Sequence, residues 1–107
     1  MMSTPIESSL LIAESMMLMP CGHPDALWEV QRQMRLINTA YHPDVVVLRL
    51  TDQVVQAAAK LHDSPGAESE ELRRGRGRGA LAKLWTYLEL LPDPKPQRRS
   101  ARSRVRY

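Results

Sequence analysis

The chain has 107 residues, a formal net charge of +3 and a single cysteine. This length allows one domain with one hydrophobic core, and one cysteine excludes an intramolecular disulfide. No stretch approaches the roughly eighteen consecutive apolar residues of a transmembrane helix, and Glu7 and Glu14 interrupt the apolar N-terminal segment, so we expect neither a membrane span nor a secretory signal. Phe is absent and only two Trp and three Tyr are present, which favours a core of Leu, Val, Met and Ala between packed helices.

The first predicted helix covers residues 5–19. Thr4, Pro5 and Glu7 stand at N-cap, N1 and N3, which is a capping box with Pro at the one helical position that tolerates it well. Pro20 ends this helix, because a proline cannot continue the hydrogen-bond ladder.

The second helix is predicted to begin at Pro24 and Asp25, since Pro presets the backbone angle and Asp complements the positive end of the helix dipole. Apolar residues then recur at intervals of three and four, which indicates one buried helix face. These residues are Leu27, Val30, Met34, Ile37 and Tyr41.

The third helix is predicted over residues 43–62, where His42-Pro43-Asp44 repeats the helix-opening tripeptide of residues 23–25. Three valines at 45–47 also fit a strand over residues 45–50, followed by a shorter helix capped at 51–52. We favour a single helix, because a stripe at spacings of three and four continues to its end. The stripe consists of Val47, Leu50, Val54, Ala58 and Leu61.

Residues 40–44, Ala-Tyr-His-Pro-Asp, resemble the Tyr-His-Pro-Asp signature of the J-domain co-chaperones, which stimulate the ATPase of a heat-shock chaperone. The resemblance implies that His42, Pro43 and Asp44 lie in a loop between antiparallel helices and contact that chaperone. It covers five residues, and the family's opening Tyr-Tyr-x-x-Leu segment and Lys-rich second helix are missing. Because residues 23–25 repeat the tripeptide as a helix start, no family is assigned.

The segment after residue 66 is predicted to contain a break. Residues 67–74 fit a short exposed helix, and Gly75, Gly77 and Gly79 then alternate with Arg. Each glycine costs roughly 1 kcal/mol in a helix interior, so we expect the helix to be interrupted there. A last helix is predicted over residues 80–91, before the prolines that follow.

Positive charge is concentrated near the C-terminus. Eleven of the fifteen Lys and Arg residues lie at or after position 73, opposed only by Glu89 and Asp93, whereas residues 1–72 carry four basic and ten acidic side chains. Runs of Arg without core-forming residues are typical of segments that bind polyanions. The predicted nucleic-acid-binding residues are Arg73, Arg74, Arg76, Arg78, Arg98, Arg99, Arg102, Arg104 and Arg106.

Cys21, His23, His42 and His62 are the residues that zinc or thiol chemistry could use. No Cys-x-x-Cys pair anchors a metal site, and in an up-down bundle His42 would lie at the opposite end from the others. Cys21 and His23 are too close in sequence for a usable nucleophile–base pair, and no third residue orients them. We therefore expect no enzyme activity, no catalytic residue, no metal and no cofactor.

The sequence thus predicts an all-α fold, a small bundle of about four helices over residues 1–91 followed by a basic, mostly irregular Pro/Arg-rich tail over 92–107. The expected function is a structural or regulatory component of a nucleoprotein assembly, viral or cellular, that contacts the DNA or RNA backbone and is cytoplasmic or virion-associated. The alternative is an adaptor or inhibitor whose helical face binds a protein partner, or a second copy, and whose tail contacts an acidic patch.

Overall fold

Four helices make up the computed structural model, which describes residues 4–19, 24–62 and 69–92. They are α1 (Thr4–Leu18), α2 (Pro24–Tyr41), α3 (Val45–His62) and α4 (Glu70–Glu89). The described residues contain no strand, so the all-α prediction is confirmed. None of these four helices is both long enough and apolar enough to cross a bilayer. The predicted tail lies outside the described residues from position 93 onward.

The helices form an up-and-down bundle in which each helix packs beside two others, with α4 closing the ring against α1. Polar contacts at the helix ends show the antiparallel order. Asn38 near the end of α2 donates to Thr51 Oγ1 in α3 at 2.7 Å, and Tyr87 near the end of α4 reaches Asp44 at the start of α3. This arrangement places the N-terminal half of α4 beside the C-terminal ends of α1 and α3.

The core consists of aliphatic side chains and methionines from all four helices, as the sequence predicts. The buried residues are Ile6, Leu10, Ala13, Met17, Val30, Met34, Ile37, Val47, Val54, Ala58, Leu61, Leu81, Leu84 and Leu88. In the predicted stripes, Leu27, Tyr41 and Leu50 are partly buried against this core and the other members are fully buried. The spacing of apolar residues therefore located the inner faces of α2 and α3 correctly.

Residues 45–50 are helical, so the strand alternative for this segment is wrong. Asp44 explains why the valines do not extend: its Oδ1 accepts hydrogen bonds from the backbone N–H groups of Val46 at 2.8 Å and Val47 at 3.1 Å. This is an N-cap, and it satisfies two donors that a helix start otherwise leaves unpaired. The predicted capping box of α1 depends on the side chain of Thr4, and the structure describes only the backbone of this residue.

The predicted break at the three glycines is wrong, because α4 runs without interruption from Glu70 to Glu89. Ser69 caps it by accepting a hydrogen bond from Leu72 N at 3.1 Å. Gly77 lies on the buried face, where an added Cβ would stand 2.7 Å from Met17 Sδ. Packing against the neighbouring helices offsets the intrinsic cost of the glycines, since tertiary contacts supply most of a helix's stability.

Candidate nucleic-acid interface

The structure divides the nine predicted arginines into three groups. Arg73 and Arg74 belong to the packed side of α4, whereas Arg76 and Arg78 are exposed. The other five lie in residues 98–106, outside the described part of the chain. A continuous arginine strip over residues 73–78 is therefore not presented to solvent.

Arg74 holds α4 to the end of α1. Its Nε donates to the carbonyl oxygen of Met17 at 3.0 Å, and one terminal nitrogen donates to that of Met19 at 2.9 Å. The same nitrogen pairs with the Glu70 carboxylate one turn earlier on α4. The last carbonyls of a helix lack intrahelical partners and carry partial negative charge. Arg74 is thus used as a structural tie, and we leave it out of the proposed interface.

Arg76 and Arg78 flank the outer face of α4 on opposite sides. Gly75 and Gly79 lie on this face, and an added Cβ at either position would meet nothing within 4 Å. Arg78 borders a groove of about 690 Å³ along the seam of α1 and α4, together with Glu14, Trp85 and Glu89. Arg76 points to the other seam, toward α3.

Charge is partitioned between the bundle and the tail. The described residues hold nine Lys and Arg side chains and nine Asp and Glu side chains, so they are neutral as a set. Residues 93–107 hold Lys95 and five arginines against Asp93 alone, a net charge of +5. The overall excess of positive charge therefore resides in the segment after Pro92 and not on the bundle.

The histidines of the described chain do not converge with other ligand types. His42 is exposed in the turn before α3, and the buried His62 has its Nε2 3.0 Å from the Met16 carbonyl oxygen, at the end of α1. No group of three His, Cys, Asp or Glu side chains within the described residues could hold a metal ion. Cys21 and His23 lie outside the described residues.

A small cleft between α3 and α4 was not anticipated from the sequence. It has a volume of about 160 Å³ and is lined by Gln53, Gln56, Ala57, Lys60, Arg73 and Arg76. The α3 members recur at intervals of three and four, and they form a polar stripe next to the buried stripe. That periodicity is the signal that could have marked the face, but its pairing with α4 required the bundle.

Comparison of the chain with protein-family models, curated proteins and solved structures finds no match. The short resemblance of residues 40–44 to J-domain co-chaperones therefore stands without a matching family model, and in this fold Asp44 serves as the N-cap of α3. Function is inferred below from this chain's own residues.

Proposed function

We propose that this protein is a non-enzymatic nucleic-acid-binding component of a nucleoprotein assembly. A helical bundle forms its body, and an Arg-rich C-terminal segment contacts the DNA or RNA phosphate backbone. One observation carries the proposal: the described bundle is neutral, whereas residues 93–107 carry +5. A protein of this kind would be found with its nucleic acid, in the cytoplasm or in a viral or cellular nucleoprotein particle.

The side chains of this segment favour the phosphate groups of a nucleic acid as binding partners. Arginine presents several N–H donors in a planar fork that fits phosphate oxygens in pairs, and it also stacks on bases. Six cations that each displace a condensed counterion give a salt dependence of about −5 in log K against log salt on duplex DNA, at roughly −0.9 per phosphate. Binding of this type is only weakly selective for sequence, because phosphate contacts carry no base information.

The test measures binding of the full-length chain to random-sequence DNA and RNA between about 50 and 200 mM salt, the range over which such contacts lose most affinity. One variant replaces Arg98, Arg99, Arg102, Arg104 and Arg106 by Gln. We expect its slope to fall to about −1, the value for the single remaining Lys95. Arg35→Gln with Arg49→Gln, two exposed positions on α2 and α3, is the body control and should keep the wild-type slope.

The proposal is rejected if the wild-type chain binds neither nucleic acid in a salt-dependent way, or if the tail variant keeps the wild-type slope. In the first case the protein-adaptor alternative gains support. The groove along α1 and α4 is the observation that favours that alternative, because the partly buried Trp85 lies in its wall, between small residues and the charged side chains at its border. Sedimentation would then show whether a second copy occupies the groove.

A further inference from the structure

The groove along α1 and α4 carries charges of opposite sign on its α4 wall. Arg78 and Glu89 are both exposed and line the groove, with Trp85 between them in the sequence. Glu89 follows Arg78 by eleven residues, which is close to three helical turns or about 16 Å, so the two charges lie on one line along the helix. Among the residues that the structure describes, neither side chain takes part in an ion pair or a hydrogen bond. Each charge is therefore available to a partner that enters the groove.

A large and a small residue lie between these two charges. Ala82 and Trp85 line the same wall, so that Arg78, Ala82, Trp85 and Glu89 follow one another at intervals of four, three and four residues. Such intervals place side chains on one face of a helix. Ala82 is exposed, whereas Trp85 is partly buried against the core and also lines the groove. The face thus presents a cation, a small residue, a ring held in place by packing, and an anion, in that order.

This order is complementary to itself when a second α4 runs antiparallel to the first. If Arg78 lies opposite Glu89 of a second copy, Trp85 lies opposite Ala82 of that copy, and the two-fold axis repeats both pairs. Opposite charges then face each other, and a large side chain packs against a small one. A parallel pairing would instead place Arg78 against Arg78 and Trp85 against Trp85. The order of residues along the groove wall therefore favours the antiparallel arrangement.

Helix α1 adds apolar surface beside the same groove. Glu14 lines the groove, and Leu11 and Leu18 come three residues before and four residues after it, which places them on the same side of α1. Leu11 is 49% exposed and Leu18 is 54% exposed. A second copy seated in the groove would cover part of both side chains, and burial of apolar area is the main favourable contribution to most protein association.

We propose that a second copy of this chain occupies the groove, with the two α4 helices antiparallel and Arg78 of each copy facing Glu89 of the other. Both copies use the same surface, so the contact closes as a dimer. Apolar contacts around Trp85 supply most of the affinity. The charge pairs lie at the exposed border, where they contribute little to affinity but select this register over others.

The dimer goes beyond the proposed function and does not depend on it. In this register Gly75 falls opposite residue 92 of the second copy, past the end of its α4, and Gly79 lies about 100° away from Arg78 around the helix axis. Both glycines therefore stay open to solvent. Each copy contributes one C-terminal segment, so a dimer would present two such segments to a nucleic acid.

The first experiment follows the sedimentation of the full-length protein from low micromolar to several hundred micromolar concentration. The protein is first treated with nuclease, so that no nucleic acid joins two copies. We expect the wild type to pass from monomer to dimer. Arg78→Glu and Glu89→Arg, made singly, should each raise the dissociation constant about tenfold, because each sets like charges opposite one another at two symmetric places. The two together should return it to within about threefold of the wild-type value, since opposite charges face each other again.

Lys83→Glu makes the same charge reversal at an exposed position of α4 that does not line the groove, and it should leave the dissociation constant unchanged. All three positions are exposed, so the variants are expected to fold, which helical circular dichroism checks. A wild type that stays monomeric throughout overturns the proposal. So do single reversals without effect, a double variant as weak as the singles, or assemblies larger than a dimer.

The second experiment tests the packing of Trp85 without a change of charge in the groove. Ala82→Gln places a longer side chain where Trp85 of the second copy would lie, and we expect it to raise the dissociation constant about tenfold. Lys83→Gln introduces the same residue one position later and should keep the wild-type value. If the two variants have the same dissociation constant, the register is overturned. The salt series on nucleic acid measures the proposed function separately: loss of salt-dependent binding in a protein that still dimerises rejects that function and leaves the dimer in place.

Discussion

Two Arg-rich segments of this chain have nearly the same composition, but the residues that flank them in the sequence differ. Residues 73–79 read Arg-Arg-Gly-Arg-Gly-Arg-Gly, and residues 98–104 read Arg-Arg-Ser-Ala-Arg-Ser-Arg. The first segment continues into leucines at helical spacing, and those leucines are buried in the bundle. The second has Val105 as the one large aliphatic residue near it. In residues 73–79, therefore, the apolar neighbours at helical spacing, and not the arginines themselves, bring the segment into the folded bundle.

Within α4, the position of each arginine on the helix determines its role. Arg73 and Arg74 fall on the packed side, and the charged head of Arg74 donates to backbone carbonyls at the end of α1. Arg76 and Arg78 fall on the exposed side. Long cationic side chains commonly behave in this way, with the stem buried and the head at a polar site. A run of arginine is therefore weak evidence for nucleic-acid contact until its helical register is known.

Among the substitutions that test this difference between the arginines, Arg74→Ala is expected to change the free energy of unfolding most. Hydrogen bonds from a charged donor contribute about 1.5–3 kcal/mol, and Arg74 makes two of them to α1 carbonyls. We predict that unfolding in urea will show a loss of about 2–3 kcal/mol in the free energy of unfolding. Arg78→Ala, at an exposed position four residues later, should change it by less than about 0.5 kcal/mol.

Equal losses from the two substitutions would show that Arg74 is not a structural tie. The salt series gives an independent check, because Arg74→Ala should leave the slope of nucleic-acid binding unchanged. A slope that falls by about 1 would return Arg74 to the interface.

Gly77→Ala is expected to have the next largest effect on the free energy of unfolding. Alanine gains about 1 kcal/mol of helix propensity over glycine, but its Cβ would stand 2.7 Å from Met17 Sδ. Met17 is fully buried, and overpacking of a core costs about 1–3 kcal/mol. We expect a net loss of about 1 kcal/mol, measured by urea unfolding. A gain would mean that the flexible thioether of Met17 moves aside at little cost.

Gly75→Ala and Gly79→Ala are the matched substitutions on the outer face of the same helix. Nothing lies within 4 Å of the added Cβ at either position. Each should raise the free energy of unfolding by about 0.5–1 kcal/mol, because alanine restricts the unfolded chain and favours the helix. A loss at either position would indicate that the outer face of α4 is covered in solution by a second copy, which would favour the adaptor alternative.

The local part of the fold could be predicted from sequence. Prolines and capping residues mark the ends of α1, α2 and α3, and the apolar periodicity locates the inner faces of α2 and α3. In α1 the apolar residues are spread too widely for this, and Leu11 and Leu18 are exposed. The course of α4 could not be predicted, since the cost of Gly75, Gly77 and Gly79 is local, whereas the packing that offsets it depends on Met17 in another helix. Local propensity is a weak guide wherever tertiary contact overrides it.

The site was predictable to a similar extent. The charge asymmetry is visible in the sequence, but the neutrality of the bundle emerges only once the described residues are separated from the tail. Lys60 could not have been grouped with Arg73 and Arg76 from sequence, because the adjacency of α3 and α4 brings them together. The spacing of residues along one helix predicts which of them share a face. Which other helix packs beside that face depends on the whole fold.

Tyr87→Phe tests the opposite end of α4, just before the tail begins, and has the smallest expected effect. The Tyr87 hydroxyl donates to Asp44 Oδ2 at 3.1 Å. Partial burial, with the hydrogen bond and negative charge of Asp44, raises the pKa of Tyr87 above its ordinary value of 10.0. The folded state therefore keeps this proton when the unfolded chain has lost it, so stability is full below about pH 10 and falls as pH rises through the folded pKa.

We expect Tyr87→Phe to unfold more readily in urea at neutral pH and to show a shallower decline in stability above pH 10. Absorbance titration should show that the phenol missing from the variant is one that ionises above the ordinary range. If the free energy of unfolding falls equally in both proteins above pH 10, the hydrogen bond between Tyr87 and Asp44 does not hold the C-terminal end of α4. Apolar contacts such as those of Leu84 and Leu88 would then hold it, and the boundary between bundle and tail would not depend on Asp44.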